Sequence, residues 1–381
     1  MARAKTYGAV PLKNAKRNQK PVRKKKKSNF SLFWFLYRIV SISCAAALGL
    51  AYLSMFVNPA VMSLPYFFGL YFIPLVIINS LLLLISLIRL RPIMFIPLSA
   101  LLPALLVANL FFKTGKEENA YGGDEFKFMT YNVGRFSAAE EGMNPEAAMA
   151  KIVDFIERED PDVLCLQEFK IADTTAIRNI LKQLPYRHSH FFGNSSIPYF
   201  GNITFSKYPI LESGKIAFEH STNLCVWTDI ALKENHVRVY NCHLQSTSVS
   251  FTSFIERMHG TDADITDEVA AVHRRLKGSN IQRSEQVEVV LSSTRTADHP
   301  SIICGDFNDT PISYTYHKLR GGRKDSFVEG GKGFGATYSY LWPLLRIDYM
   351  LLPKEFNADR NQIQRVPYSD HYPVRTLIYT N

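Results

Sequence analysis

Acids, amides and histidines stand where apolar runs end along much of the chain. "SIICGDFNDTP" (301–311) runs through five small or apolar residues ending at Gly305 and then sets Asp306, Asn308 and Asp309 within four positions. "MTYNVGRF" closes on Asn132, "DVLCLQEF" on Glu168 and "VYNCHLQS" on His243, while "RIDYMLL" opens with Asp348 and "YSDHYPV" brings Asp370 and His371 before the last apolar run. Singly, each has an ordinary reading: an Asn or Asp after a strand forms turns, and an isolated histidine is usually a hydrogen-bonded core residue. Six such places in one region suit metal-assisted phosphoryl transfer. Hard oxygen donors with few nitrogens favour Mg²⁺ or Mn²⁺ over zinc, and such an ion polarises a phosphoryl oxygen. A histidine oriented by a carboxylate moves protons near neutral pH, and amides or imidazoles hold charge developing on the phosphate. Gly305 lets the backbone approach a ligand closely.

The elements that must carry these residues follow from pattern. "FKFMTYNV", "DVLCLQEF", "NITFS", "LCVWTDIAL", "HVRVYNCHL", "SIICGDF", "IDYMLL" and "VRTLIYT" read as strands, and "PEAAMAKIVDFIERE" and "NIQRSEQVEVVLSSTR" as helices, the first opening on a proline. Many strands with few helices predict two sheets layered together with helices outside. The Ser/Thr-rich stretch 246–268 after His243 reads equally as a substrate loop or as plain surface.

In this order, "YNV", "LQE", "HLQS", "GDFND", "RIDY" and "SDHYPV" resemble the endonuclease/exonuclease/phosphatase superfamily over about residues 124–381. That group includes pancreatic-type deoxyribonuclease, abasic-site endonucleases and neutral sphingomyelinases. The resemblance implies an α/β fold, the four-layer α/β/β/α sandwich of deoxyribonuclease I. It implies that Glu168 ligates the divalent metal, steadied by Asn132, with Asp370 supporting the metal side. Asp306 would position or deprotonate the attacking water, Asn308 would contact the phosphate, and His243 would stabilise the phosphorane-like charge. His371, oriented by Asp348, would serve as acid, base or phosphate ligand; the sequence does not say which of Asp306 and His371 is the base. Asn202 in "GNITFSKYPI" is a substrate-pocket residue by the same resemblance, or simply part of a strand before a proline turn. Thr337 and Trp342 fall near Asp348, where Trp342 reads as core ahead of a stacking role; Arg283 and Gln286 read as structural.

The remaining third is different in kind. Residues 1–112 contain no Asp or Glu but 14 of the 44 Lys and Arg, so the rest of the chain is slightly acidic and its partner is not announced by a basic nucleic-acid footprint. Apolar runs at Ile39–Val57, Tyr66–Ile88 and Ile93–Phe112 each approach the roughly 20 residues that span a bilayer as a helix. The basic tail before Phe30, with Arg89 and Arg91 between the second and third runs, predicts a cytoplasmic N-terminus and an extracytoplasmic domain after Phe112. The expected layout is a basic tail (1–30), a multi-pass anchor of three transmembrane helices (31–112), a linker (113–123) and the phosphoester-cleaving domain (124–381). The expected partners are a lipid bilayer and a phosphate ester, whether lipid head group, nucleic acid or small phosphodiester, with no obligate protein partner evident. Two other readings stand beside this one: a nuclease acting on extracytoplasmic DNA or RNA, and a non-catalytic binding module of the same fold. The full set Glu168, Asp306, Asn308, Asp348, Asp370 and His371 weighs for turnover. Five cysteines, with no CxxC or Cys/His zinc spacing, predict no disulfide framework.

Overall fold

The computed structural model describes residues 8, 31–115, 121–137, 143–171, 179–180, 182–184, 186, 188–194, 197–233, 235–247 and 265–380. The basic tail, apart from Gly8, and most of the stretch after His243 (248–264) lie outside the described residues.

The strands are β1 (Phe112–Lys113), β2 (Asp124–Asn132), β3 (Val163–Lys170), β4 (His188–Asn194), β5 (Ile197–Ser206), β6 (Ile210–Ala217) and β7 (Leu224–Leu232). They continue with β8 (Asn235–His243), β9 (Ser301–Asp306), β10 (Lys324–Asp325), β11 (Gly333–Phe334), β12 (Asp348–Leu352), β13 (Asn357–Ile363) and β14 (Val374–Thr380). Two six-stranded sheets result, ordered β13-β14-β2-β3-β5-β4 and β10-β12-β9-β8-β7-β6, and β1 pairs with β11 in a separate small sheet. Neighbours are antiparallel except β2/β3 and β8/β9. A parallel pair cannot be joined by a hairpin, and here each is bridged by a helix, Pro145–Glu159 in the first sheet and Ile265–Arg295 in the second.

The first of these helices opens on Pro145, as read from the sequence; in addition the Asn144 side chain accepts from the Ala147 N–H, and Asp160 leaves at φ 47°. Its apolar face (Ile152, Phe155, Ile156) packs on Tyr131, Leu164 and Phe205 of the first sheet. Between the sheets, Phe128, Cys165, Val239, Ile302, Cys304, Met350 and Ile378 form a dry layer. The far side of the second sheet (Tyr240, Ile303, Tyr349) is covered by Val287 and Val290 of the long helix, giving the four layers.

That outer layer also receives the apolar helices of the N-terminal third. Leu48, Ala51, Phe72 and Leu110 are buried in the same cluster as Val287, Phe307 and Tyr349. The Ser54 hydroxyl donates to the Ile312 carbonyl at 2.6 Å, Arg346 to the Leu110 carbonyl at 3.3 Å, and Arg283 to the Tyr66 hydroxyl at 2.9 Å. Leu32–Leu53 and Pro92–Leu110 are each long and apolar enough to cross a membrane. The second apolar run is not one straight helix: Leu64–Leu70 and Phe72–Ile88 meet at a 72° bend, and the pair counts as a third candidate only if taken together. The bend has a packing cause. A Cβ at Gly69 would sit 2.3 Å from the Ser54 hydroxyl oxygen and 2.5 Å from the Ile312 carbonyl, so the short segment lies flush on the domain. At the opposite end of the bundle Tyr37 donates to the Leu82 carbonyl and the Arg91 guanidinium lies 4.6 Å over the Trp34 ring. Arg91 and the domain therefore occupy opposite ends of the helices.

Candidate active site

Two parallel strand pairs end at one place. In β2/β3 Asn132 lies opposite Gln167, next to Glu168, and in β8/β9 His243 lies opposite Asp306. Because the two sheets face each other, the carboxyl ends of both pairs open into a common mouth. Antiparallel pairing sets Asp348 of β12 opposite Asp306, and the turn before β14 brings in Asp370 and His371.

Backbone conformation aims the side chains. Glu168 lies at φ 51°, where the β3/β5 register shifts between Leu166 and Phe169, so a bulge turns its carboxylate out of the ladder. Gly305 sits at φ 115°, with the space of a Cβ filled by the Cys242 carbonyl oxygen at 2.1 Å. Asn308 follows at φ 53°. These two residues fold the chain back so that Asn308 donates from its backbone N–H to Asp306 Oδ1 (2.8 Å) and from its amide to Asp306 Oδ2 (3.0 Å).

Asp306 is the hub. Its Oδ2 also accepts from the Asn132 amide at 2.9 Å and lies 3.8 Å from the Nε2 atoms of both His243 and His371. His371 Nδ1 meets Asp348 Oδ2 at 2.9 Å, while the Thr337 hydroxyl accepts from the Ile347 and Asp348 N–H groups, fixing that carboxylate's strand. The Ser369 hydroxyl donates to the Asn132 carbonyl at 2.8 Å and accepts from the His371 N–H, tying the histidine turn to β2. His243 Nε2 lies 3.6 Å from Glu168 Oε1 and is buried with no hydrogen-bond partner.

The electrostatics follow from burial and neighbours. Burial pushes the Asp306 carboxyl up to about 7, against the opposing pull of His371 and with the help of Asp348. Burial alone would lower His371, but Asp348 and Asp306 outweigh it and hold the imidazole well above its usual value. Burial keeps His243 below the ordinary imidazole range. Burial would raise Glu168, yet His243, His371 and Arg135 bring it below the ordinary carboxylate value. Burial raises the Tyr338 phenol, and the negative charges of Asp370, Asp306 and Glu168 add to it.

The structure thus gathers Asn132, Glu168, His243, Asp306, Asn308, Asp348, Asp370 and His371 from six separated segments. Asn202 is arranged differently. Buried in β5, it donates its amide hydrogens to the Leu224 and Asn241 carbonyls, and so ties one sheet to the other beneath the mouth. Gln167 and Asn241 continue that bridge at 2.7 Å. Arg135 escaped the sequence reading, whereas Arg283, read there as structural, is a buried tie. Arg135, at φ 60°, places its Nε 3.1 Å from Glu168 Oε2; an arginine directly after a turn glycine gives no pattern to find. Arg283 is fully buried and donates to the Gln245 carbonyl (2.8 Å) as well as to Tyr66, with its Nε 3.4 Å from Asp309 Oδ2.

The donors fit a hard cation: carboxylate and amide oxygens, with Glu168 already drawing the Arg135 guanidinium. Among the described residues, the trio whose ligating atoms all lie within 4.8 Å of one another is instead Asp306, Asp348 and His371. Within it Asp348 and His371 are bonded to each other, which suits an oriented imidazole better than an ion.

The family model of the Endonuclease/Exonuclease/phosphatase family matches residues 129–371, and the chain belongs to that family, which hydrolyses phosphoester bonds. The apolar helices lie outside the matched residues. Among solved structures the chain is similar to the endonuclease/exonuclease/phosphatase from Beutenbergia cavernae (18% identity, TM-score 0.51, covering 68% of this chain and 72% of that one). It is similar too to that from Bacteroides vulgatus (15% identity, TM-score 0.50, 68% and 100%). The human Nocturnin catalytic domain with bound sulfate anion aligns at 18% identity and TM-score 0.49, covering 68% and 95%. At these identities the likeness is one of fold. No curated protein sequence matches.

Proposed function

We propose that the chain is a membrane-anchored, divalent-metal-dependent phosphohydrolase that cleaves a phosphodiester or phosphomonoester by attack of water. The observation carrying this reading is the meeting of Glu168, Asp306 and the Asp348–His371 pair at the shared ends of two parallel strand pairs. Glu168, Asn132 and Asp370 would hold Mg²⁺ or Mn²⁺, which when bound polarises a phosphoryl oxygen and offsets the charge gathering there. Asp306, fixed by three hydrogen bonds from Asn132 and Asn308, orients the attacking water and takes its proton. His371, held protonated by Asp348, and His243, whose Nε2 is free to donate inward when it carries the proton, face the phosphoryl oxygens. Asn308 would contact the phosphate.

The basic tail (1–30), anchor (31–112), linker (113–123) and hydrolytic domain (124–381) make up the proposed layout, with the domain outside the cytoplasm. The separation of Arg89 and Arg91 from the domain-bearing end supports that orientation. β1 already pairs Lys113 with Gly333, so the linker begins inside the domain's own hydrogen bonding.

The test is the full chain in nanodiscs with Mg²⁺ or Mn²⁺ and bis-p-nitrophenyl phosphate, with EDTA and Asp306→Asn as controls. Turnover should need the metal, and Asp306→Asn should lower kcat by about 10²–10⁴-fold. A folded chain that binds the metal yet turns over no ester would sink the enzyme reading.

A further inference from the structure

The last apolar helical run ends at Leu110, and two residues later the chain joins the domain through the pairing of Phe112 with Phe334. From there a row of side chains runs over the surface. Phe112 and Phe334 meet edge-on at 5.2 Å, and Phe334 and Trp342 at 5.8 Å. Tyr340 and Leu344 flank Trp342 in the same turn, and the Arg365 guanidinium lies 4.6 Å over the Trp342 ring. Phe112, Phe334, Tyr340, Trp342 and Leu344 are each 39–48% exposed. At the far end, Tyr340 touches Tyr338 at 5.6 Å, and Tyr338 touches the His371 ring at 5.4 Å.

Single exposed apolar residues are ordinary, whereas a contiguous row marks something that covers it. Its position names the cover. The row begins where a membrane-length helix ends, so it lies at the height of a bilayer's head groups. Tryptophan and tyrosine favour that layer. Exposed Lys332 beside Phe334 and exposed Arg365 over Trp342 supply the positive charge that anionic lipid phosphates attract. Resting on the membrane-anchored hydrolase reading, we propose that this row lies in the head-group layer of the bilayer that holds the helices. The ester cleaved is then that of a membrane phospholipid, led along the row to His371.

The experiment uses the full chain in vesicles of phosphatidylcholine, phosphatidylethanolamine, phosphatidylglycerol and sphingomyelin. With Trp34→Phe and Trp227→Phe, Trp342 is the one tryptophan left, and lipids brominated high on the acyl chain should quench its fluorescence. Phe334→Ser with Trp342→Ser should cut head-group hydrolysis at least tenfold and leave bis-p-nitrophenyl phosphate turnover within twofold. Unquenched Trp342 overturns the docking, and so does an equal loss on both substrates. Cleavage of the soluble diester with none of the lipid overturns the lipid substrate while leaving the hydrolase standing. No cleavage of either by the unaltered chain removes both readings.

Discussion

Asp306 and His371 divide one proton inventory between them. Protonated, Asp306 cannot accept from water, so kcat/KM should climb with pH through a limb near 7, where burial has moved this carboxyl. His371 is held protonated by its two acidic neighbours, and its loss of the proton gives a falling limb well above the usual imidazole value. His371→Asn should remove the falling limb while the rising one stays, as a pH–rate profile on bis-p-nitrophenyl phosphate would register. Arg135 makes a second prediction. Its guanidinium occupies Glu168 Oε2 from a side chain that is mostly in water. Replacing Arg135 with alanine should tighten Mn²⁺ binding by roughly two- to fivefold, the range of an exposed ion pair, as read by titration calorimetry. Unchanged or weaker binding would remove Arg135 as a competitor. Asp306, Asn308 and His371 were legible in the sequence because their spacing in "GDFND" and "SDH" is local. Arg135 was not, since it acts through a partner far along the chain.

At the scale of elements, the strands bearing the site were readable as short apolar runs, and the helix Pro145–Glu159 from its spacing and opening proline. What the pattern could not carry was the bulge at Glu168, because an inserted residue changes register without changing composition. The 72° break at Tyr71 was hidden too, since the apolar run continues through it and only the nearness of Ser54 and Ile312 to Gly69 decides it. Gly305 is the element-scale position where a side chain is least tolerable. Gly305→Ala would set a Cβ on the Cys242 carbonyl at a left-handed φ, and it should destabilise the chain by more than about 2 kcal/mol. Thermal unfolding in detergent would check this; a shift below a degree would show that the strands can part there.

For the whole molecule, the helices and the hydrolytic domain share one core. Cutting the chain before Asp124 removes Leu48, Ala51, Phe72 and Leu110 from the cluster around Phe307 and Tyr349. At about 1.5–3 kcal/mol for each large side chain, that loss is comparable with a domain's whole margin of about 5–15 kcal/mol. The fragment 124–381 should therefore unfold well below the full chain and bind an apolar dye, whereas a merely tethered domain would melt as the full chain does. The Tyr66–Arg283 bond reaches the Gln245 carbonyl two residues from His243, so the same cut also loosens the site.

Polar contacts at Ser54, Tyr66 and Leu110, among others, clamp the domain to its helices and leave it no tether on which to swing. In the proposed membrane-anchored arrangement, the mouth stays at one height and one tilt above the plane of the bilayer. A substrate in that plane arrives by lateral diffusion in two dimensions, so the rate follows its number per unit area. Spreading a fixed amount of it through inert lipid slows such an enzyme, even though nothing in the tube has been diluted.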